Sequence, residues 1–268
     1  MSTNEAFVPV TPFQAKPGRA FRCSEVEITA ERVHLLPISE DYAREIFKNF
    51  TSEVTYYMVP QPADCIDDTL AFINNARRGM EREENLQFVI VDKASGEFLG
   101  CCGLHGHGCP TTPELGIWLK EVAHGRRYGR EAITAVKRWV DEHLRYSYLT
   151  YPVDRENIPS RKIPESLGGE IHEESLCPTR DGRFLDIVIY RIYADVAGQI
   201  AAAPSSEEEL FVPLTEIAIN QACPELVEGA CPEPAEGACP ELAERACPEP
   251  AERAGPAGSG NRGQSQRE

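Results

Sequence analysis

The amino-acid sequence predicts a mixed α/β fold, layered in the α+β manner, with a mostly antiparallel central sheet flanked by helices. Three observations carry this. Between about residues 25 and 195, strand-length apolar runs alternate with amphipathic helical stretches in the order β, α, α, β, β, β, α, β, α, β. Turn signals at "KASG" (93–96) and at Asp181-Gly182 join neighbouring runs as hairpins, which a doubly wound parallel sheet does not use. The chain has 268 residues, 41% of them hydrophobic, enough for one sizeable core.

"ERVHLLPI" (31–38) reads as a strand, and "SEDYAREIFKNF" (39–50) opens with Ser39 and two acids, a helix start. "DDTLAFINNARRGMERE" (67–83) is a second amphipathic helix. "LQFVIVD" (86–92) and "EFLGCCGLHG" (97–106) flank the first hairpin turn, and "PELGIWL" (113–119) is the next strand. Ile133, Val136, Val140 and Leu144 mark one face of a helix that starts near Tyr128. "YLTYPV" (148–153) is a strand, "IPSRKIPESL" (158–167) a short helix, and "RFLDIVIYRIY" (183–193) the last strand.

Both ends differ from this middle. Residues 1–24, with Pro9, Pro12 and Pro17 and no periodicity, read as an irregular extension to a domain spanning 25–195. Residues 196–268 read as an acidic tail. Within it, 222–253 repeat every eight residues as "ACPELVEG ACPEPAEG ACPELAER ACPEPAER", placing Cys223, Cys231, Cys239 and Cys247 beside proline and glutamate. Proline in every unit blocks long helices, and this composition is expected to be disordered. Formal net charge is −16 for the chain, −9 of it from Ala201 onward. So acidic a balance argues against nucleic acid as a partner. No basic start followed by an apolar run opens the chain, and no stretch reaches membrane-spanning length. The expected location is the cytoplasm, where ten cysteines do not read as a disulfide scaffold.

The stretch "HGRRYGREA" (124–132) lies where a strand hands over to a helix. Backbone N–H groups at a helix start are unpaired and favour anions. Gly125 and Gly129 would let a phosphate approach the main chain, and Arg126, Arg127 and Arg130 add positive charge. The residues alone are equally compatible with a solvated basic loop. Neither a Walker ending nor a dinucleotide glycine pattern is present.

Three stretches, in register with the element order, resemble the GNAT-superfamily N-acetyltransferases, in particular the RimJ/RimL-like branch: "QFVIVDKASGEFLGCCGL", "ELGIWLKEVAHGRRYGREAI" and "NIPSRKIPESLGG". The likeness covers about residues 28–193. It implies the acyl-CoA N-acyltransferase fold, acetyl-CoA as co-substrate without a metal, and a pyrophosphate cradle formed by His124, Gly125, Arg126, Arg127, Tyr128, Gly129 and Arg130. It further implies that the backbone around Trp118 and Leu119 pairs with pantetheine and the oxyanion, and that Asn157 bonds the pantetheine arm. Glu114 takes the position of the base that frees the amine, and Ser160 that of the acid for the leaving thiolate. His124 replaces the family's usual Gln or Arg, and Arg127 its usual glycine, which suits arginine only where φ is negative. Pro164, lacking an N–H, deprives the Ser160 carbonyl of a helical partner.

The implied acceptor is a primary amine, on a small molecule or a protein N-terminus, attacked directly by a monomer or homodimer. Residues 51–65, with Tyr56 and Tyr57, and residues 170–183 are expected to select it. Two alternatives stay open. One is a CoA-binding protein of this fold without catalysis. The other is a zinc protein built on Cys101, His105, His107 and Cys109 of "CCGLHGHGC".

Overall fold

The structure, a computed structural model, describes residues 11–194. The octapeptide repeat therefore lies outside the described residues. The elements are β1 (Ile28–Thr29), β2 (Val33–Pro37), α1 (Ala43–Asn49), α2 (Ile66–Glu81), β3 (Asn85–Asp92), β4 (Phe98–His105), β5 (Glu114–Leu119), α3 (Tyr128–His143), β6 (Leu149–Asp154), α4 (Ile158–Glu165), β7 (Glu170–Pro178) and β8 (Phe184–Ile192). They form one eight-stranded sheet in the order β1-β2-β3-β4-β5-β6-β8-β7, flanked by helices. Every pairing is antiparallel except β5 with β6, which is parallel.

Local chemistry accounts for the hairpins. Asp92 Oδ1 accepts the N–H groups of Ala94 and Ser95, and Gly96 turns the chain at φ +73°. A Cβ on Gly100 would lie 2.2 Å from the Trp118 carbonyl, so only glycine allows β4 and β5 to close up there. Ile133, Val136, Val140 and Leu144 are all buried, as their spacing predicts. Phe13 joins the core from the irregular N-terminal stretch, its N–H bonded to the Glu83 carbonyl at 2.7 Å. No helix among the described residues is long and apolar enough to cross a membrane.

Two expectations are corrected. The helix expected over 39–50 begins later: Glu40–Tyr42 form a 3-10 turn, and Ser39 spends its hydroxyl on Asp41 instead of capping a backbone N–H. The expected element order also lacks a strand between the helix at 158–167 and the last strand, where 170–178 form β7, paired along its length with β8. Its charges hide it. An edge strand buries little, and Glu173 and Glu174 are held by Arg191 and Arg155.

The faces of the sheet are distinct. Trp118 packs against Phe50 and Phe98, and Tyr42 against Phe98, on the side of α1. Ile117 and Leu119, pointing the other way, meet α3 at Gly129. On β8, Leu185, Ile187 and Ile189 pack with Val59 of the α1–α2 connection, while the Tyr190 hydroxyl bonds Glu165 of α4.

Candidate active site

Strands β5 and β6 share a single register pair, Glu114 with Thr150, and then diverge. Around this seam both neighbours pair fully, β4 with β5 and β6 with β8. The N–H of Lys120 donates to the Leu99 carbonyl at 2.9 Å, and Trp118 stands opposite Cys101. Strand alternation therefore turns the main chain of Trp118 toward β4 and that of Ile117 and Leu119 toward the split. Of the two residues implied by the family likeness, Leu119 offers its backbone there, while Trp118 contributes an indole on the α1 face. His124 Nε2 donates to the Leu119 carbonyl at 2.8 Å, which ties the following loop to the end of β5.

That loop delivers the start of α3 to the mouth of the split. Gly125 turns at φ +72°, and Arg127 caps α3 at φ +65°, ψ 13°. The condition under which arginine would suit this position is thus not met: Arg127 sits where glycine is usual and takes the glycine conformation, at a cost of about 1 kcal/mol. A network behind the loop holds it there. Arg32 donates its backbone N–H and its Nε to Glu131, at 2.5 and 2.8 Å, and its Nη1 to the Arg126 carbonyl at 3.2 Å. The Tyr128 ring is contacted by both guanidiniums, Arg32 at 4.8 Å and Arg126 at 4.9 Å, and its hydroxyl donates to Asp92 at 3.0 Å. Tyr128 is buried, so it braces the loop, while Arg126, Arg127 and Arg130 are exposed. Gly129 faces inward: a Cβ there would meet Ile163, Ile117 and Leu119 at 3.3–3.5 Å. Its smallness serves helix–strand packing, whereas a Cβ on Gly125 would touch nothing.

Helix α4 flanks the split on the same face. Asn157 Oδ1 accepts the Ser160 N–H at 3.3 Å, so this side-chain oxygen caps the helix. Ser160 Oγ lies 2.9 Å from the hydroxyl of Tyr151 on β6. Burial pushes the Tyr151 phenol up to about 12, with the Ser160 hydrogen bond opposing the shift. Pro164 stands near the end of α4, and the turn closes behind it through Ser166 N–H to Lys162 and Gly169 N–H to Pro164.

Glu114 opens β5 on the other face, opposite His105 of β4 and 3.9 Å from His107 Nε2. Loss of water pushes His105 down to about 4, helped by His107 and opposed by Glu114. The α1–α2 connection lies over this side. Arg183 stacks on Tyr56 at 4.6 Å and donates to its carbonyl at 2.9 Å, pinning the connection to the β7–β8 hairpin, and Tyr57 meets Tyr56 edge-on. The four zinc candidates do not converge: Cys101 is buried in the core and Cys109 is exposed. Among the described residues, no group of three or more His, Cys, Asp or Glu side chains could hold a metal ion.

The acetyltransferase (GNAT) domain family matches residues 32–170, just over half of the chain. The chain belongs to the GNAT acetyltransferase family. Solved structures agree on the fold. A GNAT-family acetyltransferase from Bacillus anthracis is 19% identical at a TM-score of 0.54, covering 63% of this chain and 99% of that one. Spermidine N-acetyltransferase from Vibrio cholerae, in complex with CoA and spermine, is 17% identical at a TM-score of 0.54, covering 61% and 96%. The microcin C7 self-immunity acetyltransferase, in complex with acetyl-CoA and AMP, is 19% identical at 0.54, covering 61% and 93%. No curated protein matches the chain.

Within this GNAT domain the sequence pattern missed Arg32 and Tyr151. Tyr151 alternates with Leu149 and Val153 as one more inward residue of β6, and only the fold brings it to Ser160. Arg32 is separated by nearly a hundred residues from the loop it braces, and no spacing rule connects the two.

Proposed function

We propose that the chain is an N-acetyltransferase of the RimJ/RimL-like branch, moving acetyl from acetyl-CoA to a primary amine by direct attack. The observation that carries this reading is the split of β5 from β6 after one register pair, with the α3 N-terminus at its mouth. Diphosphate would lie on the N–H groups of the Gly125–Arg130 turn, where the helix dipole and Arg126, Arg127 and Arg130 favour negative charge. Pantetheine would run in the split as a surrogate strand on the Leu119 and Ile117 backbone. The two faces of the sheet separate the proton steps: Glu114 works on the amine side, and Ser160, backed by Tyr151, on the thiolate side. The Leu119–Ile117 donors also suit the oxyanion. Residues 25–195 carry the activity in this reading, as a cytoplasmic monomer or homodimer, and the tail carries none of it.

The test is thiol release from acetyl-CoA across a panel of amines: spermine, spermidine, an aminoglycoside, free amino acids and a short peptide with a free N-terminus. Turnover with one class, together with acetylated product by mass, establishes the reaction. Tight CoA binding with no turnover on any amine would instead support a CoA-binding protein without catalysis.

A further inference from the structure

We propose that His107 is a proton-relay residue, carrying to solvent the proton that Glu114 takes from the acceptor amine. This rests on the acetyltransferase reading. His107 has φ +46°, a left-handed backbone that a non-glycine residue rarely adopts, although glycines stand on both sides of it. Its side chain is only 17% exposed, and Nε2 lies 3.9 Å from Glu114 Oε1, beyond a direct hydrogen bond, so a proton passes between them through one bridging water. The His105 ring stacks at 5.5 Å from His107 and tilts by 34°. Gly103 leaves room for that ring, since a Cβ there would lie 2.9 Å from His105 Cε1, while a Cβ on Gly116 would make only ordinary contact, 3.5 Å from Nε2. The titratable groups bearing on His105 are His107 in the same hairpin and Glu114 on β5; Gln87, beside Gly103 on β3, is uncharged. His105 therefore stays neutral at neutral pH and walls the Glu114–His107 pair.

The proton balance closes. R–NH3+ and acetyl-CoA give the acetamide, CoA thiol and one proton. Glu114 carboxylate takes the first proton of the ammonium, and the freed lone pair forms the N–C bond at the thioester carbonyl. As the C–S bond breaks, the thiolate receives a proton from the Ser160 side; of the two N–H protons left on the adduct, one restores that donor and the other stays on the acetamide nitrogen. The Glu114 carboxyl meanwhile returns to carboxylate by passing its proton through the bridging water to Nε2 of His107, and the imidazolium so formed releases it to solvent.

Glycine is the least strained replacement at this φ, so His107→Gly keeps the fold. On the amine that the wild-type protein acetylates fastest, this variant should lose about tenfold or more in kcat at neutral pH. Its KM for acetyl-CoA should stay within about twofold, and added imidazole should restore the rate in a saturable manner. An unchanged kcat, or a loss that imidazole does not restore, overturns the relay. A second measurement needs no acceptor: histidine ring NMR of the wild-type protein and Glu114→Gln. The carboxylate favours the imidazolium, so the His107 midpoint should move down when the charge is removed, and a midpoint that does not move also overturns the proposal. A wild-type protein that acetylates no amine refutes the enzyme reading and the relay together. Turnover that His107→Gly leaves intact refutes the relay alone.

Discussion

The hydroxyl of Tyr151 lies 2.9 Å from Oγ of Ser160, so β6, which borders the split, and helix α4 share one part-buried hydrogen bond. If this pair supplies the thiolate proton, Tyr151→Phe, which keeps the ring packing, should lower kcat by about tenfold or more, as should Ser160→Ala. Acetyl-CoA affinity, read by calorimetry, should hardly change in either variant. A purely structural bond would instead show a loss of about 1 kcal/mol in denaturation with kcat intact.

Arg127 holds a left-handed backbone, and Arg127→Gly should relieve it. The expected gain is about 1 kcal/mol in urea denaturation, reduced by the added freedom of glycine in the unfolded chain. CoA affinity should fall only by the contribution of one exposed guanidinium, so the two measurements separate backbone from charge.

Gly129→Val fills the gap bordered by Ile117, Leu119 and Ile163. Overpacking there should cost about 1–3 kcal/mol of stability and push α3 off β5. CoA binding should weaken in parallel with stability. Gly125→Ala, where the added Cβ has open space but φ is +72°, should strain the turn without disturbing the core.

His105 is held down to about 4, so the folded protein binds its proton less readily than the unfolded chain does. Its contribution to stability is present above about pH 6.5, the unfolded value, and is lost as pH falls toward 4. The wild-type protein should lose on the order of 2 kcal/mol more than His105→Asn across that window, read from midpoints in a denaturant–pH series. Equal slopes for the two proteins would contradict the shift.

The sequence discloses those parts of the domain whose burial follows a period. The α3 face of Ile133, Val136 and Val140 and the hairpin at Asp92 are visible because local spacing and turn chemistry cause them. Strand β7 is not visible, since an edge strand with Glu173 and Glu174 in ion pairs has no apolar alternation to read. At the candidate site the Gly125–Arg130 turn is legible as a motif. The inward role of Gly129 and the left-handed Arg127 are not, because β5 and Arg32 impose them from a distance. Asn157 reads as a ligand contact on family pattern, while the geometry employs its oxygen as a helix cap.

The seam between β5 and β6 makes the sheet mechanically uneven. Five strands on one side and three on the other meet through one register pair, Glu114 with Thr150, so backbone bonding across the middle is nearly absent beyond it. A bound pantetheine arm would act there as a stitch, closing the wedge with bonds that the polypeptide does not make for itself. Amide hydrogens of Ile117 and Leu119 should then exchange with solvent far more slowly when CoA is present. The melting temperature should also climb with cofactor concentration, as mass action requires of any ligand that binds only the folded state. In such a protein, cofactor supply governs lifetime as well as turnover.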